Sequence, residues 1–182
     1  MKKINIEVRP ISKENESALA LPNEPFPEGG RVVPSFDGEN WNYRFEELPP
    51  EEINENCFPD ENYKFDEMGD KFHGLAAYVD GVCAGYALFY EQWNKWLYLD
   101  NLLVLKKYRR TGVASALIEE GMRLSKDLKK LGVWLVCQDN NLGAMKFYLK
   151  AGFSLGGMNL PVYEGTRQAG KADLYLYRRN EE

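Results

Sequence analysis

Residues 96–115, WLYLDNLLVLKKYRRTGVAS, decide how the rest of the chain is read: an apolar run, a short basic turn, and a glycine that opens an amphipathic segment. Positions 96–105 are almost all aromatic or branched and suit a strand buried on both faces, interrupted only by Asp100-Asn101. A carboxylate in a core strand is costly unless it is hydrogen-bonded or functional, so Asp100 marks either a bulge or a place where the strand meets a cleft. The turn that follows, Lys106-Lys107-Tyr108-Arg109-Arg110-Thr111-Gly112, combines cations with the backbone N–H groups of a helix start. Backed by the positive end of the helix, these groups form an anion cradle suited to a pyrophosphate. The bland alternative is a solvated basic turn before an ordinary helix.

From Val113 onward, Val113, Leu117, Leu124 and Leu128 recur on one helical face, with Ala116 and Leu131 beside it. Residues 133–137, VWLVC, read as a neighbouring buried strand. They are followed by the turn and cap residues Gln138-Asp139-Asn140-Asn141, a helix over 142–150, and Gly152 where a left-handed cap is expected. Earlier, 72–79 and 82–90 flank Asp80-Gly81, a strong type I′ hairpin signal. Ile4, Ile6 and Val8 alternate with polar residues in an edge strand ended by Pro10. Strand-like runs at 154–163 and 172–177 close the chain. Strands before and after two helices predict an α/β fold with a mixed sheet and helices on its faces.

Between 12 and 70 the chain is rich in proline, glycine and acidic residues and reads as irregular, with two short helices near 50–56 and 65–68. Its aromatics, Phe26, Phe36, Trp41, Tyr43 and Phe45, are too numerous for a disordered tail and are expected to pack on the core or line a pocket.

The pattern Arg109-x-x-Gly112-x-Ala114, followed some thirty residues later by Asn141-x-x-Ala144-x-x-Phe147-Tyr148-x-x-x-Gly152-Phe153, resembles the GNAT superfamily of acetyl-coenzyme A dependent N-acetyltransferases. The resemblance implies a mostly antiparallel central sheet with a splayed strand pair. It also implies pantetheine pairing with backbone near Leu103 and Val104, and a pyrophosphate held by Arg109, Arg110, Thr111, Gly112, Val113, Ala114 and Ser115. Asn141 would contact the cofactor arm, and Tyr148 would protonate the departing thiolate, the alternative for Tyr148 being a core aromatic on its helix. Asp100 falls where relatives often carry a glutamate general base; being shorter by one methylene, it would act through a bridging water. Asn23-Glu24-Pro25-Phe26, Gly30-Arg31, Pro34-Ser35-Phe36 and Trp41 look like the streptothricin acetyltransferases of Gram-positive bacteria, which acetylate the β-lysine part of that antibiotic.

The chain has 182 residues, 44% of them hydrophobic, which fits one domain: 71–177 as cofactor-binding core, 1–70 contributing to the substrate site. A formal net charge of -5 argues against non-specific nucleic-acid binding and suits a small cationic amine. No run approaches a membrane span, and the first ten residues lack the apolar core of a signal peptide, so a soluble cytoplasmic protein is expected, compatible with a homodimer. Cys57, Cys83 and Cys137 have no metal-ligand spacing and the single His73 reads as structural, so no metal is expected. The expected activity is acetyl transfer from acetyl-coenzyme A. A non-catalytic acyl-coenzyme A binding module, or acetylation of protein lysines or N-termini, are the alternatives.

Overall fold

The computed structural model describes residues 4–181. In chain order it contains β1 (Ile6–Pro10), a 3₁₀ helix (Lys13–Ala20), β2 (Phe26–Glu28), β3 (Gly30–Phe36), β4 (Trp41–Glu47), β5 (Asn54–Asn56), β6 (Phe72–Val79), β7 (Val82–Glu91), β8 (Leu97–Val104), α1 (Val113–Asp127), β9 (Gly132–Gln138), α2 (Leu142–Lys150), β10 (Ser154–Asn159) and β11 (Asp173–Arg179). Two compact units form, each discontinuous in sequence. One runs up to Glu24, then takes in Phe58–Val133 and the chain from Arg179 on; the other comprises Pro25–Cys57 and Trp134–Arg178.

In the first unit β1, β6, β7 and β8 pair antiparallel in that order. The β6–β7 hairpin turns at Asp80 (φ 49°) and Gly81 (φ 80°), the two positive-φ positions that the Asp-Gly pair predicts. Every residue of β7 from Ala84 to Phe89 is buried, because both faces of this strand are covered. Tyr86 and Leu88 join Ile11, Ala18, Leu19, Ala76 and Leu103 in one cluster, closed over by Tyr63, Phe65 and Met68. On the opposite face Phe89 meets α1 at Gly121.

The buried face of α1 is Val113, Leu117, Ile118, Gly121, Met122 and Ser125. This corrects the face read from periodicity: Leu124 and Leu128 are half-buried, and Leu131 is 42% exposed. Gly121 is inside because the Phe89 ring fills the space a larger side chain would need. His73 is structural, its Nε2 lying 3.2 Å from Glu91 Oε1, while Lys130 Nζ lies 2.7 Å from Glu91 Oε2. The lysine bond above all holds the Glu91 carboxyl below its usual range.

In the second unit β9, β11 and β10 are hydrogen-bonded neighbours in that order, β10 antiparallel to β11. The Trp134 ring stacks on Tyr177 at 5.9 Å. The stretch expected to be irregular contains order the sequence reading missed. β3 and β4 form an antiparallel hairpin around Asp37-Gly38, with Phe36 against Trp41 and Tyr43 against Phe45, and β2 pairs with β5. The aromatics do not all pack inward: Phe36 is 53% and Tyr43 42% exposed. The two short helices expected at 50–56 and 65–68 are single 3₁₀ turns, Pro50–Glu52 and Phe65–Glu67. Among the described residues no helix is long and apolar enough to cross a membrane.

Candidate active site

The basic turn is shaped by its own side chains. A carboxylate oxygen of Glu24 accepts from the Lys106 N–H at the start of a 3₁₀ turn, and Thr111 Oγ1 donates to the Tyr108 carbonyl at 2.6 Å. Arg109 turns back: its Nε donates to the Val104 carbonyl at 3.1 Å and its Nη2 to the Glu24 carbonyl at 3.2 Å. The guanidinium therefore braces the loop against the end of β8, and Arg110, with φ 64°, is exposed, as are Lys106 and Lys107. Gly112 occupies the N-cap of α1 at φ 99° and no side chain caps the helix. Helix geometry leaves the N–H groups of Val113, Ala114 and Ser115 without intrahelical acceptors, so they face outward under the positive end of the helix dipole.

Upstream, β8 carries a bulge. Leu88 of β7 pairs with Asn101 and Phe89 with Leu99, so Asp100 is the extra residue. The sequence offered bulge or cleft, and a bulge is present. Its effect follows from strand geometry. Successive side chains normally alternate between faces. One inserted residue puts Leu99 on the Phe89 face and brings both Asp100 and Asn101 to the opposite one, where Tyr63 lies. Asn101 Nδ2 donates to the Tyr63 hydroxyl at 3.3 Å, beside the bulged residue.

Asp100 is exposed to solvent. The protein mass around it nevertheless raises its carboxyl above the usual aspartate range, with the nearby Glu61 charge as a second cause. Burial, and then the Asp100 charge, raises the Tyr90 phenol, while burial first raises the phenols of Tyr63 and Tyr86. Two carboxylates thus stand among three tyrosines, an environment that favours a cation over a second anion.

Glu61, Tyr63 and Tyr90 were not singled out from sequence. Four other acidic residues of the N-terminal part, Glu24, Asp60, Asp66 and Glu67, all have structural partners. Glu24 caps Lys106, Asp60 accepts from the Asn23 N–H at 2.7 Å, Asp66 pairs with Lys13 at 2.5 Å and Glu67 with Lys64 at 2.9 Å.

The other two expected site residues lie in the second unit. Asn141 is the N-cap of α2, its Oδ1 accepting from the Ala144 N–H at 3.1 Å, which explains an asparagine here without any ligand. Tyr148 packs against Phe147 (5.3 Å between ring centroids) and edge-on to Phe153 (5.6 Å). Asp139, read in the sequence only as one of a group of turn and cap residues, is a buried carboxylate. It is 2% exposed, accepts from the Ala172 N–H at 3.0 Å, pairs with Arg31, and receives the Val32 N–H on its carbonyl at 2.7 Å.

Residues 37–153 match the acetyltransferase (GNAT) family. The chain belongs to that family. It is 28% identical over 162 residues to streptothricin acetyltransferase A of Bacillus subtilis (strain 168), an alignment spanning 86% of this chain and 90% of that protein. Its fold matches a candidate streptothricin acetyltransferase from Bacillus anthracis str. Ames, solved in complex with acetyl coenzyme A, with a TM-score of 0.85 at 24% identity over 97% of this chain and 99% of that one. A nourseothricin acetyltransferase follows at a TM-score of 0.79 and 22% identity, with the same coverage. The mixed, mostly antiparallel α/β fold is that of the GNAT acetyltransferases.

Acetyl-coenzyme A is the acyl donor of GNAT acetyltransferases, and the start of α1 fits its pyrophosphate. The helix N-terminus is uncapped, the residue in front of it has no side chain, and an exposed arginine stands beside it. When bound, acetyl-coenzyme A supplies an activated thioester. What the chain must add is a site for the acceptor and a route for its proton.

Proposed function

We propose that this acetyltransferase acetylates a primary amine of a small cationic molecule, the β-lysine moiety of streptothricin being the first candidate. The observation that carries the reading is the bulged Asp100, on the strand face where Tyr63 lies and near the Glu61 charge. A lysine-like amine has a pKa of about 10.4, so at pH 7 fewer than roughly one molecule in a thousand is the free nucleophile, and supplying that form costs about 4–5 kcal/mol. Two carboxylates attract the ammonium, and a carboxyl raised by burial is a better proton acceptor than an ordinary aspartate. Asp100 then takes the proton, directly or through one water, as the amine attacks.

Tyr148 matches the tyrosine that protonates the departing thiolate in this family, and we assign it that role. Leu103, Val104 and the amides at the start of α1 are assigned to the acyl donor, and so is Asn141, by its match to the family's motif. The reading takes the chain as one catalytic domain acting in the cytoplasm. The name and coverage of the Bacillus subtilis relative support the substrate choice, and so does the net charge of -5.

A thiol-release assay with acetyl-coenzyme A against streptothricin, an aminoglycoside, a polyamine and a lysine peptide tests it. Preferred turnover of streptothricin is expected. Turnover of the peptide alone moves the protein to the protein-acetylating class, and binding of acetyl-coenzyme A without turnover of any amine overturns the enzymatic reading of Asp100.

A further inference from the structure

We propose that the uncovered face of the β3–β4 hairpin is a docking platform for an extended polycationic amine, its aromatic rings holding ammonium groups that do not react. That the docked amine is the acetyl acceptor rests on the function proposed above; the platform rests on the hairpin alone. The register pairs Val32 with Phe45, Pro34 with Tyr43 and Phe36 with Trp41, and no bulge interrupts it. Alternate residues of a strand, and residues directly opposite one another, lie on the same face. These six side chains therefore form one apolar strip, and the Arg44–Glu46 ion pair (2.6 Å) lies on the other side. Phe36 meets Trp41 at 5.2 Å between ring centroids, and Tyr43 meets Phe45 edge-on at 5.6 Å.

One end of the strip shows what it accommodates. Lys146 reaches over from α2: its Nζ lies 5.1 Å from the centre of the Phe45 ring and pairs with Glu47, the next residue of β4 on that face. An alkylammonium on a ring beside a carboxylate thus covers the base of the hairpin. Toward the turn the rings continue without that cover, Phe36 being 53% and Tyr43 42% exposed. The charge there is negative. Arg31 is held by Asp139 and Arg44 by Glu46, whereas Asp37 and Glu39 at the turn have no cationic partner among the described residues. The N–H groups of Asn40 and Glu39 hold the Asp37 carboxyl below its usual range, so it stays ionised. Size selects the occupant. An aromatic side chain buries roughly 150–250 Å², so the exposed parts of Phe36 and Tyr43 together offer roughly 200 Å². A standard protein interface takes about 800 Å² from each partner, and this patch suits a small molecule instead. Alternate residues are about 7 Å apart along a strand, so amines spaced on one flexible chain reach successive rings.

The test is the double variant Phe36→Leu with Tyr43→Leu in the full-length protein. Leucine keeps an apolar side chain at two exposed positions and removes the ring faces. The probe is hexamethonium, a chain with a quaternary ammonium at each end that cannot be acetylated. In a ¹³C NMR titration of the aromatic side chains it should shift the signals of Phe36, Trp41 and Tyr43, and 1,8-octanediol, neutral and of similar length, should bind more weakly. Two exposed cation–π contacts correspond to about a five- to thirtyfold change in Kd, which is the weakening expected in the double variant. A second arm reads the acceptor: in the thiol-release assay hexamethonium should compete with streptothricin, and the double variant should weaken that competition by the same factor.

Unmoved hairpin signals, or equal hexamethonium affinity in wild type and double variant, overturn the platform. So does a diol that binds as tightly, which is the behaviour of a plain apolar patch. A wild-type dimer that the double variant disperses in sedimentation velocity also overturns it, because a second copy then covers the face. Where the double variant does not fold, Phe36→Leu alone takes its place, with about a two- to fivefold change expected. Binding at the hairpin without competition against streptothricin keeps the platform and overturns its part in holding the acceptor. If wild-type protein acetylates no amine, the proposed function fails and the titration alone decides the platform.

Discussion

Gly121→Ala tests how α1 is seated on the sheet. A methyl built on Gly121 would lie 2.2 Å from Cζ of Phe89, 2.7 Å from Cε1 and 3.0 Å from Cε2. Carbon atoms in favourable contact are about 3.5–4.0 Å apart, so helix and ring must separate by more than about 1 Å. Phe89 cannot swing away, being fully buried and paired with Leu99 across the sheet. Overpacking of this kind costs about 1–3 kcal/mol, and the severity of the contact places it near the upper end. Alanine returns up to about 1 kcal/mol over glycine inside a helix. The net expectation is a loss of about 2 kcal/mol, a fall of about 4–8 °C in Tm for a chain of this size.

Gly143→Ala on α2 is the comparison. Its nearest atom would be Asn141 Oδ1 at 3.9 Å, so only the helical preference for alanine remains and stability should rise by about 0.5 kcal/mol. Urea unfolding followed by tryptophan fluorescence measures both, with the m-value checking that the unfolded state is unchanged. Because Phe89 borders the register shift at Asp100, Gly121→Ala should also lower kcat per folded molecule. Wild-type stability in Gly121→Ala, or shifts of the same sign in the two variants, would refute the packing argument.

Gly112→Asp places a side chain and a negative charge in front of the open amides of α1, so calorimetry should show acetyl-coenzyme A affinity falling more than tenfold, at about 1.4 kcal/mol per decade; unchanged affinity removes the helix start from the donor site. Tyr148→Phe keeps the packing on Phe147 and Phe153 and removes only the hydroxyl, and a loss of about 10²-fold in kcat is expected of a general acid; equal kcat returns Tyr148 to a packing role. Asp139→Ala leaves the Ala172 N–H without its buried acceptor and Arg31 without its partner, and should cost about 2–4 kcal/mol in urea unfolding, less than for a fully buried pair because Arg31 is half exposed. A loss below about 1 kcal/mol would mean that water replaces the carboxylate.

The parts of this fold that were legible in the sequence share one property: a local signal and the tertiary contact agree. Asp80-Gly81 needs only its own backbone to turn, and Asn141 and Gly152 cap α2 from within its own sequence. The buried face of α1 was misread because a ring on another strand selected Gly121, and no helical period reveals that. The β3–β4 hairpin was missed because Pro34 interrupts a run that lacks apolar alternation. The site was half legible. Asp100 stood out as a charge in an apolar strand, and the leucines at 97 and 99 followed by 102 carried the change of phase that a bulge requires. Glu61 and Tyr63 sit in an exposed irregular segment whose contact with β8 is fixed by long-range packing, and no pattern in residues 58–64 announces it.

The raised Asp100 carboxyl has a consequence for stability as well as for chemistry. A group whose folded-state pKa lies above its unfolded value binds more protons in the native state between the two values, so stability falls as pH rises through that window. Above it the ionised carboxylate is held, partly desolvated and near the Glu61 charge, at a standing cost. Asp100→Asn removes the charge and keeps the shape. At neutral pH it should therefore be at least as stable as wild type, while below the unfolded aspartate pKa, where wild type is protonated too, the difference should close. Paired thermal melts at neutral and acidic pH read the two cases directly. A variant that is less stable at neutral pH would mean that Asp100 is there to hold the bulge together, and the proton acceptor would have to be sought elsewhere. A variant that gains stability while losing turnover identifies a carboxylate kept in place, against the preference of the fold, for what it does to a bound amine.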